Sequence, residues 1–197
     1  MPTATGPTLY FIRHGETDWN RQGRLQGAQD IPINPTGERQ AGRNGRMLGE
    51  IVDNSGGLDF VASPLLRTRQ TMEIVRAGLG LPPHAYQTDE RLQEISWGEW
   101  EGLTWKELKV KDRTAYDRRY ADPWHTAPPG GESYAMVTSR VADWLASLER
   151  DTVVVSHGGI SRCLRGITLG LPTGEIPNLD VPQDRIMVVQ GATIDWV

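Results

Sequence analysis

Cysteine is nearly absent from this chain: Cys163 stands alone among 197 residues. One thiol excludes an internal disulfide framework and any cysteine-rich zinc site. Lysine is scarce too, since all but Lys106, Lys109 and Lys111 of the 21 basic residues are Arg. An arginine excess of that kind reads as sequence bias and is not itself a ligand site. Nor is there an excess of positive charge. The 25 acidic residues outnumber the basic ones and leave a net charge of -4, which argues against nucleic acid as a partner. No apolar run approaches the ~20 residues that a membrane span needs, and no internal repeat is visible. The opening residues Met1 to Gly6 lack the basic and apolar regions of a signal peptide. A soluble, cytoplasmic protein is the expectation.

What remains is an ordinary globular composition, 38% hydrophobic and 23% charged with seven Trp. The length fits a single domain over residues 1–197, able to bury roughly 70% of the surface its unfolded chain exposes. Leu9-Tyr10-Phe11-Ile12 is a short β-former run that reads as a buried strand. Asn34-Pro35-Thr36 marks a helix start, with a capping side chain and Pro in the first turn. That helix carries Ala41, Leu48, Ile51 and Val52 inward and stops before Asn54. Residues 58–62 form a second strand candidate, followed by a helical stripe of Leu65, Thr68, Met72, Val75 and Leu79. The stretch from Tyr86 to Gly130 is irregular, with short helical pieces and four Trp that resist full exposure. It predicts a substrate-covering insertion around residues 100–130.

Val137, Val141, Trp144, Leu145 and Leu148 then share one helix face. Thr152 to Val155 is the most strand-like segment, and Ile160, Cys163, Leu164 and Ile167 make the next helical stripe, with Cys163 in the core. Residues 186–189 and 193–194 can close the sheet as a pair of strands. Alternating strands and helices of this length predict an α/β sandwich with a mostly parallel central sheet. Ligands of such folds sit outside the carboxyl ends of the strands. Two of the four histidines, His14 and His157, fall there, each preceding a glycine. Arg13 adjoins the first, and Arg67 opens the helix after the second strand candidate. A lone strand-end His is ordinarily a hydrogen-bonded structural residue. Two His-Gly pairs with two arginines instead suit an anion, with tetrahedral phosphate the natural guess. Binding and chemistry are both compatible with that set.

The motifs carry the argument further. Arg13-His14-Gly15-Glu16-Thr17, followed by Trp19-Asn20, resembles the R-H-G-x-[ST]-x-x-N signature of the histidine phosphatase superfamily. Residues 63–71, Ser-Pro-Leu-Leu-Arg-Thr-Arg-Gln-Thr, are similar to that family's S-x-L-x-R-[AT]-x-x-T segment. Residues 92–102, Leu-Gln-Glu-Ile-Ser-Trp-Gly-Glu-Trp-Glu-Gly, resemble its L-x-E-x-x-x-G-x-x-E-G block. Gly130-Gly131-Glu132-Ser133 and Ser156-His157-Gly158-Gly159 complete the set in order, so the likeness covers essentially the whole chain. It implies a phosphoglycerate-mutase-like, three-layer α/β/α sandwich.

The resemblance also implies roles. His14 is the expected nucleophile, forming a phosphohistidine, with its other ring nitrogen held by a nearby carbonyl. Arg13, Arg67, His157 and Asn20 are expected around the phosphoryl oxygens, joined by the backbone N–H of Gly158. Glu94 is the expected proton donor to the leaving oxygen and then the base for water. Glu99 and Glu101 are its rivals, and Trp97 with Trp100 is the expected apolar wall. Gln26 matches a position that touches substrate in the family. Arg118-Arg119 reads as a solvated helix face, with a second anionic group on the substrate as the other reading. His84 and His125 read as incidental, His125 and Trp124 alternatively lining a substrate mouth.

No P-loop, dinucleotide fingerprint or H-E-x-x-H pattern occurs, so no cofactor and no metal are expected. The expected activity is metal-independent hydrolysis of small phosphorylated metabolites, by a monomer or homodimer. A cofactor-dependent phosphoglycerate mutase is the first alternative and a non-catalytic phosphate-binding scaffold the second. The short stretch of about 27 residues between Gly102 and Gly130 favours the phosphatase. So does Glu94-Ile95-Ser96-Trp97-Gly98, where such mutases typically read Glu-Arg-His-Tyr-Gly.

Overall fold

The computed structural model describes residues 6–197; the segment Met1 to Thr5, read above for targeting signals, lies outside the described residues. Six strands form one sheet: β1 (Leu9–Arg13), β2 (Asp59–Ala62), β3 (Gln87–Thr88), β4 (Thr152–Ser156), β5 (Ile186–Gln190) and β6 (Thr193–Trp196). Their order is β3-β2-β4-β1-β5-β6. β1 to β4 run parallel, while β5 and β6 close one edge antiparallel. Among the described residues there are seven α-helices: α1 (Asp18–Arg21), α2 (Pro35–Ile51), α3 (Leu66–Gly78), α4 (Trp105–Lys111), α5 (Arg113–Ala121), α6 (Tyr134–Leu145) and α7 (Gly158–Leu169). The expected mixed α/β architecture is present.

The pleat divides the sheet's side chains between two cores. Ile12, Val153 and Val155 turn to α2 and α3, where they meet Leu48, Met72 and Val75. Phe11 and Val154 turn to α6 and α7, against Val137, Val141, Trp144, Ile160 and Leu164. β4 is buried along its whole length, which is why its sequence is an unbroken apolar run rather than an alternation. Cys163 lies in the second core, and burial pushes its thiol up to about 12. It is inert packing.

Local signals set the helix ends. Asn34 caps α2 through bonds from Thr36 and Gly37 N–H, with Pro35 at the first helical position. Ser133 caps α6 by accepting from Met136 N–H. Between Glu101 and Gly130 the chain forms α4 and α5, whose underside is a small third cluster of Leu25, Trp100 and Leu108. Two expectations change here. Trp100 is buried beneath this segment and does not wall the site. Arg119 is buried too, its guanidinium over the rings of Trp97 and Tyr134 and bonded to the Thr126 and Glu132 carbonyls. The aromatic faces shelter a cation that a polar helix pattern assigns to solvent; Arg118 beside it is exposed as expected.

Candidate active site

The parallel register brings the two histidines together. Arg13 at the end of β1 pairs with Ser156 at the end of β4, and His14 N–H donates to Ser156 O at 2.9 Å. The next residue on each strand is therefore a histidine, and the two rings meet edge-on with centroids 5.2 Å apart. β2 delivers the third component. Ser63 follows it, and its Oγ lies 2.8 Å from His157 Nε2. A cavity of about 740 Å³ opens over these strand ends.

His14 is buried, and its Nδ1 lies 2.8 Å from the Gly15 carbonyl. A carbonyl only accepts, so Nδ1 carries the hydrogen and Nε2 keeps its lone pair. Burial, then the charges of Arg67 and Arg13, hold the His14 pKa well below the usual histidine range. The ring is neutral at pH 7. His157 is likewise driven well below that range by burial and by Arg67. It is fully buried beside His14, behind the residues that line the cavity, and its Nδ1 has no protein partner.

Each arginine is fixed by main-chain carbonyls rather than by a carboxylate. Arg67 is fully buried and donates to Gln29 O at 2.7 Å and Gly27 O at 2.8 Å. Arg13 donates to Val181 O at 2.5 Å. Burial lowers the Arg67 pKa to about 10, which leaves it charged at neutral pH. The Nε atoms of both arginines are buried without a partner, as is Gln26 Oε1. Buried polar groups are ordinarily bonded, so four orphans around one strand-end cavity mark a site built for a polar ligand.

Glu94 faces the first turn of α7. Its Oε1 accepts from Gly159 N–H at 2.9 Å and from Ile95 N–H at 3.0 Å. Gly159 permits the contact, because a Cβ there would stand 2.4 Å from Glu94 Oε1. Among the described residues Glu94 is the only one of the three candidate carboxylates that lines the cavity. Glu99 is exposed, and Glu101 instead ties the Ala28 N–H and the Gln29 amide to its own loop.

Arg13, His14, Asn20, Gln26, Arg67, Glu94 and Gly158 all line the cavity. Asn20 is positioned by a capping box with Thr17 at the start of α1. Trp97 supplies apolar wall as expected, with Trp105, Tyr116, Tyr120 and Trp124 beyond it, and His125 at the rim paired with Asp122. Sequence reasoning missed three residues, Ser63, Arg162 and Gln183, and gave Arg119 the wrong first reading. Ser63 sat inside a recognised segment without a role. Arg162 lines the cavity one turn into α7, where its position after His157-Gly158-Gly159 was a readable signal. Arg119, expected first on a solvated helix face and otherwise against a second anionic group of the substrate, is buried and lines the cavity. Gln183 donates to His14 O at 3.0 Å and to Asn20 Oδ1 at 3.3 Å, across a sequence separation that no local pattern spans.

Among the described residues no group of three or more His, Cys, Asp or Glu is placed to hold a metal ion, and no helix is long and apolar enough to cross a membrane. Positive charge at the cavity comes from guanidinium groups.

Known proteins resemble this chain over three quarters of its length or more. A Bacillus subtilis protein, "Uncharacterized phosphatase PhoE", is 36% identical over 78% of this chain and 73% of its own. A Salmonella paratyphi C protein, "Probable phosphoglycerate mutase GpmB", is 34% identical over 83% of this chain and 75% of its own. A Caenorhabditis elegans 6-phosphofructo-2-kinase/fructose-2,6-bisphosphatase is 30% identical over 89% of this chain, which spans only 37% of that larger protein. The solved mycobacterial glucosyl-3-phosphoglycerate phosphatase superposes with a TM-score of 0.79 at 30% identity, covering 98% of this chain and 96% of that one. The family model for the histidine phosphatase superfamily, branch 1, matches residues 9–197, and the chain belongs to that family.

Proposed function

We propose that the protein is a metal-independent phosphomonoesterase that hydrolyses small phosphorylated metabolites through a phosphohistidine on His14. One observation carries the reading. The Gly15 carbonyl holds the His14 hydrogen on Nδ1, and burial, reinforced by two nearby guanidiniums, keeps the ring neutral, so the Nε2 lone pair is free to attack. In the first step the N–P bond forms as the ester P–O bond breaks, and Glu94 gives its proton to the leaving oxygen. In the second, Glu94 takes a proton from water, the water oxygen attacks phosphorus, and the N–P bond returns its electron pair to Nε2. Arg13, Arg67, Asn20 and the Gly158 N–H hold the phosphoryl oxygens throughout. The Ser63 hydroxyl accepts from Leu65 N–H and lies 2.8 Å from His157 Nε2; in this reading its hydrogen goes to Nε2, the one acceptor within its reach among the described residues. Neutral His157 then keeps its hydrogen on Nδ1 and donates from there. The two fixed guanidiniums supply the positive charge that a metal supplies elsewhere, and the neutral donors add directed hydrogen bonds.

The resemblance to a mutase supports a second reading, in which the same residues return the phosphoryl group to another oxygen of the substrate. Phosphate release distinguishes the two. A panel of p-nitrophenyl phosphate, sugar phosphates and 3-phosphoglycerate, assayed in EDTA, should yield inorganic phosphate with the wild type. His14→Ala should lose roughly 10⁴-fold or more of that rate, as expected for removal of a nucleophile. No release from any ester, with isomerisation of 3-phosphoglycerate, would replace this reading with the mutase.

A further inference from the structure

The Gly130-Gly131-Glu132-Ser133 block has no place in the chemistry above, and it lies beside the acid. Ser133 caps α6. Two turns along that helix, Arg140 points back at the block and at the segment that carries Glu94. Its Nε donates to Glu132 Oε1 at 3.0 Å and its Nη2 to Glu132 Oε2 at 2.9 Å, a bidentate pair. The remaining hydrogens go to main-chain carbonyls: Nη1 to Arg91 O at 2.7 Å and Gln93 O at 2.8 Å, Nη2 to Glu94 O at 3.3 Å. All five N–H groups of the guanidinium are thus used. Glu132 grips the other side of the acid. Its Oε2 accepts from Ser96 N–H at 3.0 Å, and its own N–H donates to Ser96 O at 2.9 Å. Gly131 allows this approach, since a Cβ there would stand 2.5 Å from Ser96 O.

We propose that Arg140 and Glu132 are positioning residues for Glu94, clamping the main chain on both sides of it so that its carboxyl meets the leaving oxygen. The proposal rests on the reading of Glu94 as the proton donor. Residues 93–96 have no helix or strand of their own; Ile95 packs into the core, and the Gln93, Glu94 and Ser96 carbonyls all bond to the clamp. The clamp borrows rigidity from α6, whose Val137, Val141 and Trp144 are set in the core. Lysine cannot substitute for the arginine here, because an ammonium has three donors and no planar fork. A shift of about 1 Å in a catalytic group can cost about 10²-fold in rate.

A merely structural role would slow every substrate alike, whereas a misplaced acid slows those whose leaving group needs a proton. The experiment compares kcat/KM for phenyl phosphate and 2,4-dinitrophenyl phosphate, since the dinitrophenolate departs without protonation. Glu94→Gln should lower the phenyl value by about 10²-fold or more and the dinitrophenyl value by less than about tenfold. Arg140→Lys and Glu132→Gln should repeat that selectivity, with losses on phenyl phosphate between about tenfold and 10²-fold. Equal losses on both esters in the clamp variants, or none, with Glu94→Gln still selective, would overturn the proposal and leave the acid in place. An unselective Glu94→Gln would remove the acid reading and the clamp with it. Glu132→Gln preserves shape and packing, so it decides the question should the Arg140 variant fail to fold.

Discussion

The floor of the cavity and its outer wall are built in opposite ways. On the floor, Arg67 and His157 are 0% exposed; Gly15 O and Ser63 Oγ, just past β1 and β2, hold the two histidines, and the loop carbonyls of Gly27, Gln29 and Val181 hold the two arginines. Across from it, Tyr120 is 78% exposed and Trp105 45%. The rings between form a ladder: Trp97 meets Trp105 edge-on at 5.2 Å, Trp105 meets Tyr116, and Tyr116 stacks on Tyr120 at 5.9 Å. The ladder runs from half-buried Trp97 to Tyr120 in solvent. The floor is over-determined by the sheet and suits a fixed chemistry. The wall is carried on two short helices at the edge of the molecule, away from the sheet, and suits adjustment to what the phosphate is attached to.

Gly159→Ala offers the sharpest way to break the comparison on the floor side. The added methyl would stand 2.4 Å from Glu94 Oε1 and 3.1 Å from Ile95 Cγ2, so the carboxylate must swing away. Alanine in a helix is otherwise favoured over glycine by about 1 kcal/mol. We expect a loss of about 10²-fold in turnover with the melting temperature kept or raised, measured by phosphate release and thermal denaturation. An active variant would mean that the floor tolerates movement after all.

The same contrast explains what a sequence reader can see. The floor follows from strand-end placement: β1 and β4 run parallel in register, so the residues after Arg13 and Ser156 must be neighbours. His14, His157, Arg13 and Arg67 were legible for that reason, and the apolar stripes of α2, α3, α6 and α7 with them. Glu94 needed a motif, because its loop has no periodicity to follow. Gln183 stayed hidden because its contact to His14 spans the chain from one end to the other. Arg119 was misplaced by a rule that sends charge to solvent, where two aromatic faces outweigh it. The order of α4 and α5 and the burial of Trp100 are tertiary choices that composition does not encode.

A smaller effect separates floor from wall through acid stability. The folded-state pKa values of His14 and His157 lie well below the unfolded value, so the unfolded chain takes up these protons first. Stability contributed by keeping the rings neutral is present above about pH 6.5 and falls as pH drops below it. Each histidine adds a slope of about 1.4 kcal/mol per pH unit in that window. At the wall, Asp122 is held below the usual carboxylate range by its bonds from the His125 main-chain N–H and ring, so its contribution is lost only in the more acid range. Urea unfolding between pH 8 and 5 should show the histidine slope, and His157→Gln should remove about half of it. An unchanged slope in that variant would mean that His157 is not the neutral partner described.

The smallest effect is expected at the outermost rung, where Tyr120→Ala removes an exposed ring whose neighbour is Tyr116. Exposed substitutions away from caps and cores usually change stability by less than about 0.5 kcal/mol. The phosphoryl chemistry is remote from this ring, so kcat for p-nitrophenyl phosphate should stay within about twofold, because nothing made only in the transition state is lost. KM for bulkier esters should rise by a few fold, about what one partly wet aromatic contact supplies. A panel of esters of increasing size, run on the wild type and on Tyr120→Ala, reads both quantities. A large fall in kcat on the smallest ester would tie the wall to the chemistry itself. The two regions would then be one machine, with the aromatic ladder transmitting position from solvent to the floor.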